Sequence, residues 1–349
     1  MSKRRRLRFG VIGTGAFAEA CHIPGLQAHP QAEVAAICGR RRERTQALAD
    51  RFGIAVVTTE PADLCARGDI DGIAICTSNA SHCADALLAL EHGKHVFCEK
   101  PLALSVAEAE TMVRLAASSG RVHQVAFTFR YLYGVEELRR RVRAGEIGEP
   151  FLFRAHHEYW DGLRPGSAVG WRGQGAAAGG GVLQDTGAHL VDLARFVMGP
   201  IAAIRADTHH VPRQDVESDD IATAWLRFAS GQAGYWHASR ITPPRAQNSI
   251  QVIGREGALE ALLSRGGFDA LRRTRPGQPG CEELPLVDAA RDGQTHALSR
   301  MMRSFVDACL RGSLAEGDAS FHDGLAVQRA LTAAQDSASA DWVSLDPAA

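Results

Sequence analysis

The sequence predicts an α/β protein in two parts. A doubly wound domain on a parallel sheet is expected over residues 1–123, and an α+β domain with a large, mostly antiparallel sheet over residues 124–349. Three observations carry this. The 349 residues suffice for about two domains of ordinary size, each able to bury a core without disulfide or metal staples. In the first part, continuous apolar runs alternate with amphipathic segments, the rhythm of strand and helix units whose strands are covered on both faces. After Gln124, apolar and polar residues alternate around turn residues, as in antiparallel hairpins with one covered face.

In the first part, apolar runs of strand length place strands at Arg8–Ile12, Glu33–Cys38, Gly72–Cys76, His95–Cys98 and Val122–Phe127. Between them, helical spacing predicts helices over Ala16–Ala28, Arg42–Phe52, His82–His92 and Ser105–Ser118. In the second part, Ile221–Phe228 and Ala233–Ser239 form a hairpin through the turn Ala229–Gln232. Pro150–Tyr159, Ala203–His210 and Ser249–Ile253 add strands, and Ala297–Leu310 and Phe321–Ser337 read as helices. No stretch of linker composition divides the parts, and no repeat is visible.

Composition excludes several classes. With 39 basic against 40 acidic residues, the chain lacks a generally basic surface for nucleic acid. The apolar run Phe9–Ile12 is broken by Gly13 and Gly15, too short for a secretory or membrane segment, and the cluster Lys3, Arg4, Arg5, Arg6 reads as a solvated tail. The eight cysteines form no CxxC pair, which predicts reduced thiols and a cytoplasmic setting.

The first strand runs into Gly13-Thr14-Gly15-Ala16-Phe17-Ala18, a Rossmann-type GxGxxA turn. Gly13 makes the tight turn, Gly15 lets the backbone approach a pyrophosphate, Ala18 permits close helix packing, and the helix start offers free N–H groups to the anion. At the end of the second strand, Gly39-Arg40-Arg41 stands where an NAD-preferring site usually has a carboxylate. The arginines offer a planar fork to a 2′-phosphate, so NADP(H) is the favoured cofactor, with NAD(H) the alternative.

Further motifs occur in the order Thr77-Ser78-Asn79-Ala80-Ser81-His82, then Glu99-Lys100-Pro101, Trp171-Arg172, Gly179 to His189, Ile253 to Gly257, and Asp323-Gly324-Leu325. Across nearly the whole chain this succession resembles the Gfo/Idh/MocA oxidoreductases, the family of glucose-fructose oxidoreductase and inositol 2-dehydrogenase. Ser78 stands where many relatives have proline. The resemblance implies hydride transfer between nicotinamide and a hydroxyl or keto carbon of a sugar, cyclitol or related polyol. It implies that Thr77, Ser78, Asn79, His82, Glu99, Lys100 and Pro101 line the cofactor cleft, with Trp171 and Arg172 near the nicotinamide. It also implies a homodimer or homotetramer joined through an open sheet face.

Oxidising an alcohol requires a base for its proton and a cation for the developing alkoxide. His189 suits the first role and Lys100 the second. Asp185 lies four residues before His189, on the same face if that segment is helical, where it can orient the imidazole or hold a substrate hydroxyl. In the family the matching lysine, aspartate and histidine are the catalytic trio. Arg130, Tyr159 and Trp160 are weaker candidates for a substrate wall. His156-His157 and His209-His210 sit on strands where neighbours face opposite ways, so no metal site is expected, and Asp219-Asp220 reads as a strand opening instead of a carboxylate dyad. The expected function is an NAD(P)-dependent oxidoreductase of polyols. A glycosidase using transient oxidation by NAD and a non-catalytic dinucleotide-binding regulator are the alternatives.

Overall fold

The computed structural model describes residues 5–160, 179–212, 216, 218–242, 248–263, 270–286, 294–337 and 341–346. The chain forms two compact units, Met1–Phe127 with Leu298–Leu325, and Thr128–Ala297 with Ala326–Ala349.

The first unit is built on six parallel strands: β1 (Leu7–Ile12), β2 (Ala32–Cys38), β3 (Val56–Thr58), β4 (Gly72–Ile75), β5 (His95–Cys98) and β6 (His123–Val125). Their order is β3-β2-β1-β4-β5-β6, so the chain reverses its direction of travel across the sheet at β1 and β4. In doubly wound sheets ligands bind at such a switch, outside the carboxyl ends of the strands. Phe9, Val11, Ile37, Ile73, Ile75, Val96 and Phe97 are fully buried, as continuous apolar strands covered on both faces require.

Its helices are α1 (Ile23–Gln27), α2 (Arg42–Phe52), α3 (Pro61–Cys65), α4 (His82–Glu91) and α5 (Val106–Ser119). Start and stop residues explain the longer ones. Ser105 accepts from the Glu108 amide and Glu108 returns a bond to the Leu104 amide, while Gly53 and Gly120 end α2 and α5 at φ +67° and +63°. The helix expected over Ala16–Ala28 is not regular, because Ala18–His22 forms a π-turn ahead of α1.

The second unit carries α6 (Tyr133–Arg143), α7 (Val182–Met198) and nine strands. The strands are β7 (Pro150–Glu158), β8 (Ile201–His209), β9 (Ile221–Phe228), β10 (Ala233–Ser239), β11 (Ser249–Gly254), β12 (Gly257–Leu262), β13 (Leu271–Thr274), β14 (Glu282–Leu284) and β15 (Val343–Ser344). Their order is β14-β13-β12-β11-β7-β10-β9-β8-β15, with β7 and β10 the one parallel pair among the described strands. Helix α7 packs on β7, β9 and β10, and α6 packs on β12 and β13. Alternation decides the faces: Phe153, Ala155 and Trp236 are buried on one, whereas Trp225, in register with Tyr235 and Arg154 on the other, is 45% exposed.

Two further helices, α8 (Gln294–Arg311) and α9 (Phe321–Asp336), close the sequence of helices. The expectation of one uninterrupted second domain over 124–349 differs from the fold, in which Leu298–Leu325 belongs to the first unit. The reason is packing. Met301, Met302 and Phe305 of α8 are fully buried, and the Phe305 ring lies 5.7 Å from Phe9 and 5.4 Å from Phe97.

Candidate active site

In the first unit the candidate site begins where β1 ends. The Gly13 amide donates to Cys38 O at 2.9 Å, the Cys76 amide donates to Ile12 O at 2.7 Å, and Gly13 takes φ +116°. A Cβ at Gly13 would stand 2.4 Å from Cys76 O, so the turn admits no side chain there. A Cβ at Gly15 would meet no protein atom within 4 Å. Packing therefore demands glycine at 13 but not at 15, and the second glycine fits a turn that lets a pyrophosphate come close to the backbone. Thr14 is pinned through its carbonyl, which accepts from Arg44 Nε at 2.7 Å; Gly15, Ala16 and Phe17 are exposed at the start of the helix.

Gly39 is buried at the end of β2, with a Cβ there only 2.5 Å from Thr14 Cγ2 and 2.6 Å from Thr45 Oγ1. The missing carboxylate thus has a packing cause as well. Arg40 and Arg41 come directly after it and are exposed.

Two loops beyond β4 and β5 carry the next residues. Ser78 holds φ −74° and ψ 152°, the geometry a proline would impose, so serine replaces it without disturbing the turn. Thr77 Oγ1 donates to Asp85 Oδ2 at 2.9 Å, and Asn79 is 8% exposed. Burial raises the Asp85 carboxyl above its ordinary value despite that bond. His82 is fully buried, with Nδ1 2.8 Å from Pro101 O and Nε2 3.3 Å from Thr77 O. Burial lowers its pKa, so a neutral ring donates to the nearer carbonyl. Both ring nitrogens of His82 thus face the protein, which departs from the expectation that it lines a cleft directly.

Glu99 Oε1 lies 2.6 Å from His22 Nε2, and Glu99 Oε2 accepts from the Lys100 amide at 3.2 Å. Burial opposes ionisation of Glu99, but the bond and charge of His22 and the charge of Lys100 outweigh it and hold the carboxyl below its ordinary value. Lys100 itself is half-buried and is joined to Pro101 by a cis peptide bond.

In the second unit, the segment bearing Asp185 and His189 is helical, and α7 opens three residues before Asp185. Asp219 fixes that start. Its carboxylate accepts from the Gly181 amide at 2.9 Å and the Leu183 amide at 2.8 Å, and its carbonyl accepts from the Val182 amide. Gly181 is required, since a Cβ would lie 2.1 Å from Asp219 O. From Gly181 to Ala194 every residue is buried except Asp185 and His189, which lie one turn apart. Leu190, Leu193 and Ala194 are fully buried and form the inward side of the helix. The ring of Phe129 packs against His189 at 4.6 Å and against His157 at 5.3 Å.

Other candidates fall elsewhere. Arg130, considered for a substrate wall, is 4% exposed and its Nε donates to Asp192 Oδ2 at 2.8 Å, with Asp192 1% exposed; it is a core ion pair holding Thr128–Tyr131 to α7. Tyr159 packs edge-on against His157 at 5.9 Å, and Trp160 is 36% exposed in a bridge to Ile241. Trp171 and Arg172 lie outside the described residues. Sequence reasoning missed His22, Phe129, Asp192 and the capping role of Asp219. Asp219 alone gave a signal, as a short acidic residue that the fold brings to a glycine-opened helix.

A doubly wound unit with a glycine turn at its switch point, followed by a unit whose mixed sheet carries a helix with Asp185 and His189, defines a dinucleotide-dependent oxidoreductase. Family models agree: "Oxidoreductase family, NAD-binding Rossmann fold" matches residues 7–127, and "GFO/IDH/MocA C-terminal domain" matches residues 135–260. The chain belongs to the Gfo/Idh/MocA oxidoreductase family and its first unit is an NAD-binding Rossmann fold. It is 31% identical to 1,5-anhydro-D-fructose reductase of Ensifer adhaerens over 72% of this chain and 74% of that protein. It is 28% identical to scyllo-inositol 2-dehydrogenase (NAD(+)) of Bacillus subtilis (strain 168) over 93% of this chain and 96% of that protein. Among solved structures, levoglucosan dehydrogenase in complex with NADH and levoglucosan superimposes with a TM-score of 0.89 and 27% identity, covering 97% of this chain and 99% of that one.

Proposed function

We propose that this enzyme transfers a hydride between NAD(P) and a ring hydroxyl or keto carbon of a sugar, cyclitol or related polyol. The observation that carries the reading is the pair Asp185 and His189, the two residues between Gly181 and Ala194 that are only partly buried. Such a pair is costly to keep for packing alone and suits proton handling at a polyol hydroxyl. Lys100 supports it, because an ammonium can both donate to a reacting oxygen and give up its proton, which an arginine cannot.

In this reading, Gly13, Thr14, Gly15, Ala16 and Phe17 hold the pyrophosphate, Gly39, Arg40 and Arg41 the adenosine ribose, and Thr77, Ser78, Asn79, Glu99 and Pro101 the nicotinamide side, with Trp171 and Arg172 assigned to its far end by resemblance. The bound nicotinamide supplies hydride acceptance and donation. Lys100 stabilises negative charge on the substrate oxygen, His189 takes the hydroxyl proton, and Asp185 orients the imidazole or a neighbouring hydroxyl. Exposed Arg40 and Arg41 beside a glycine that excludes a carboxylate favour NADP(H). The exposed Trp225, on the sheet face it shares with Tyr235 and Arg154, supports a homodimer or homotetramer, and the eight free cysteines support a cytoplasmic setting.

Steady-state assays on myo-inositol, scyllo-inositol, levoglucosan and D-glucose with NAD+ and NADP+, and on 1,5-anhydro-D-fructose with NADH and NADPH, test this. Net turnover of the nicotinamide with at least one polyol is expected, and Arg40→Ala should weaken NADPH more than NADH. Equal weakening of both removes the 2′-phosphate assignment, and cleavage of glycosides with no net change in nicotinamide points to the glycosidase.

A further inference from the structure

Two fully buried histidines of the first unit bond to either side of the turn that bears Lys100. On one side His22 is fully buried, its Nε2 2.6 Å from Glu99 Oε1, its Nδ1 3.3 Å from Met302 Sδ and its ring 5.4 Å from Phe97. On the other side His82 is fully buried, its Nδ1 2.8 Å from Pro101 O. The two imidazoles therefore bond the residues immediately before and after Lys100. A π-turn adds one residue to the helical turn, which shifts the phase of the residues after it by about 100°. His22 ends that turn, Ala18–His22, so the distortion sets which side chain meets Glu99.

We infer that His22, acting through Glu99, and His82, acting through Pro101, are positioning residues that fix where the Lys100 ammonium stands. The inference rests on the reading of Lys100 as the cation that donates to the reacting oxygen. Its physical basis is the lysine side chain itself, a flexible four-carbon stem whose reach is set by the backbone that carries it. Displacing a reacting group by an ångström costs about 100-fold in rate. Burying an imidazole and a carboxylate side by side is expensive, and apolar residues would fill the same volume at lower cost. What the pair adds is direction: Glu99 is locked by His22 at one oxygen and meets the Lys100 amide with the other. Glu99 is held in its ionised form against burial by the His22 bond and charge and by Lys100.

The chain makes a direct test practical. Its lysines are only Lys3, Lys94 and Lys100, against 36 arginines. Reductive 13C-dimethylation of the full chain with NADH bound, read by NMR, resolves Lys100, assigned by its loss in Lys100→Arg. In wild type the Lys100 line stands apart from that of Lys3. In His22→Leu it moves to the free-lysine position, and turnover of the best substrate among the assayed polyols falls about 100-fold. His22→Gln, which keeps a donor at the place of Nε2, restores the line and most of the turnover. His82→Leu and His82→Asn form the matching pair at Pro101, the amide of asparagine standing in for Nδ1, and carry the test should His22→Leu fail to fold. A folded leucine variant with the wild-type Lys100 line and wild-type turnover overturns the inference, as does a conservative variant as impaired as the leucine one. A merely structural role lowers Tm without moving the line. Wild-type turnover in Lys100→Met defeats the proposed chemistry instead, and leaves the NMR result to judge the clamp by itself.

Discussion

Gly13 and Gly15 are glycine for different reasons, and the difference can be measured. Gly13 sits at φ +116° with no room for a Cβ, whereas Gly15 has open space around the position of its missing Cβ. Gly13→Ala is expected to cost about 1–3 kcal/mol of stability and to weaken NADH as well. Gly15→Ala should change stability by less than about 0.5 kcal/mol yet weaken NADH clearly, since its methyl meets only what binds there. Thermal melts and NADH fluorescence titrations separate the two effects; a Gly15→Ala protein that binds NADH as wild type does would remove the pyrophosphate from this turn. Gly13, Gly39 and the spacing of Asp185 and His189 were all readable in the sequence, because each obeys a local rule. Arg130 was not, since a buried arginine bonded to Asp192 and an arginine lining a pocket look alike until their partners are known.

At the level of elements, periodicity located α2, α5 and most strands, while short strands such as β3 and the irregular turn at Ala18–His22 escaped. Three-residue strands are held by their neighbours more than by their own composition. The junction of β6 with α9 shows what such contacts do. His123 Nδ1 accepts from the Phe321 amide at 3.3 Å, and its ring lies 5.0 Å from Phe321. Burial, with the charge of His322, pushes the His123 pKa down to about 4 from the ordinary value of 6.5. The folded state therefore favours the neutral ring. The stability this contributes is complete above the unfolded value of 6.5 and is lost as pH falls through about 4. Protonation would also put a hydrogen on the nitrogen that accepts from Phe321. Melts between pH 7 and 4 should show Tm falling in wild type and falling less in His123→Gln; parallel curves for the two proteins would rule out this histidine as the cause.

Across the whole molecule, the family pattern spans nearly the full chain, but the assignment of α8 to the first unit was not legible. An amphipathic helix shows that it has an apolar face and not which sheet will cover it. Phe305 against Phe9 and Phe97 supplies the answer, and it predicts that residues 1–127 expressed alone will be unstable. Circular dichroism and hydrogen exchange should show a loose, poorly cooperative fragment, improved when 298–325 is joined to it; a stable and cooperative 1–127 would mean that α8 is dispensable.

Lysine is rare throughout the chain, and that rarity bears on the chemistry assigned to Lys100. With 36 arginines and three lysines in the chain, a cation needed only for charge would most often be arginine, so the ammonium kept at residue 100 points to chemistry that a guanidinium cannot do. Turnover of Lys100→Arg with the best of the assayed polyols, measured beside its NADH affinity, tests this most directly. The expected result is near wild-type affinity for NADH with kcat lowered by about 100-fold or more. Wild-type kcat in Lys100→Arg would contradict it.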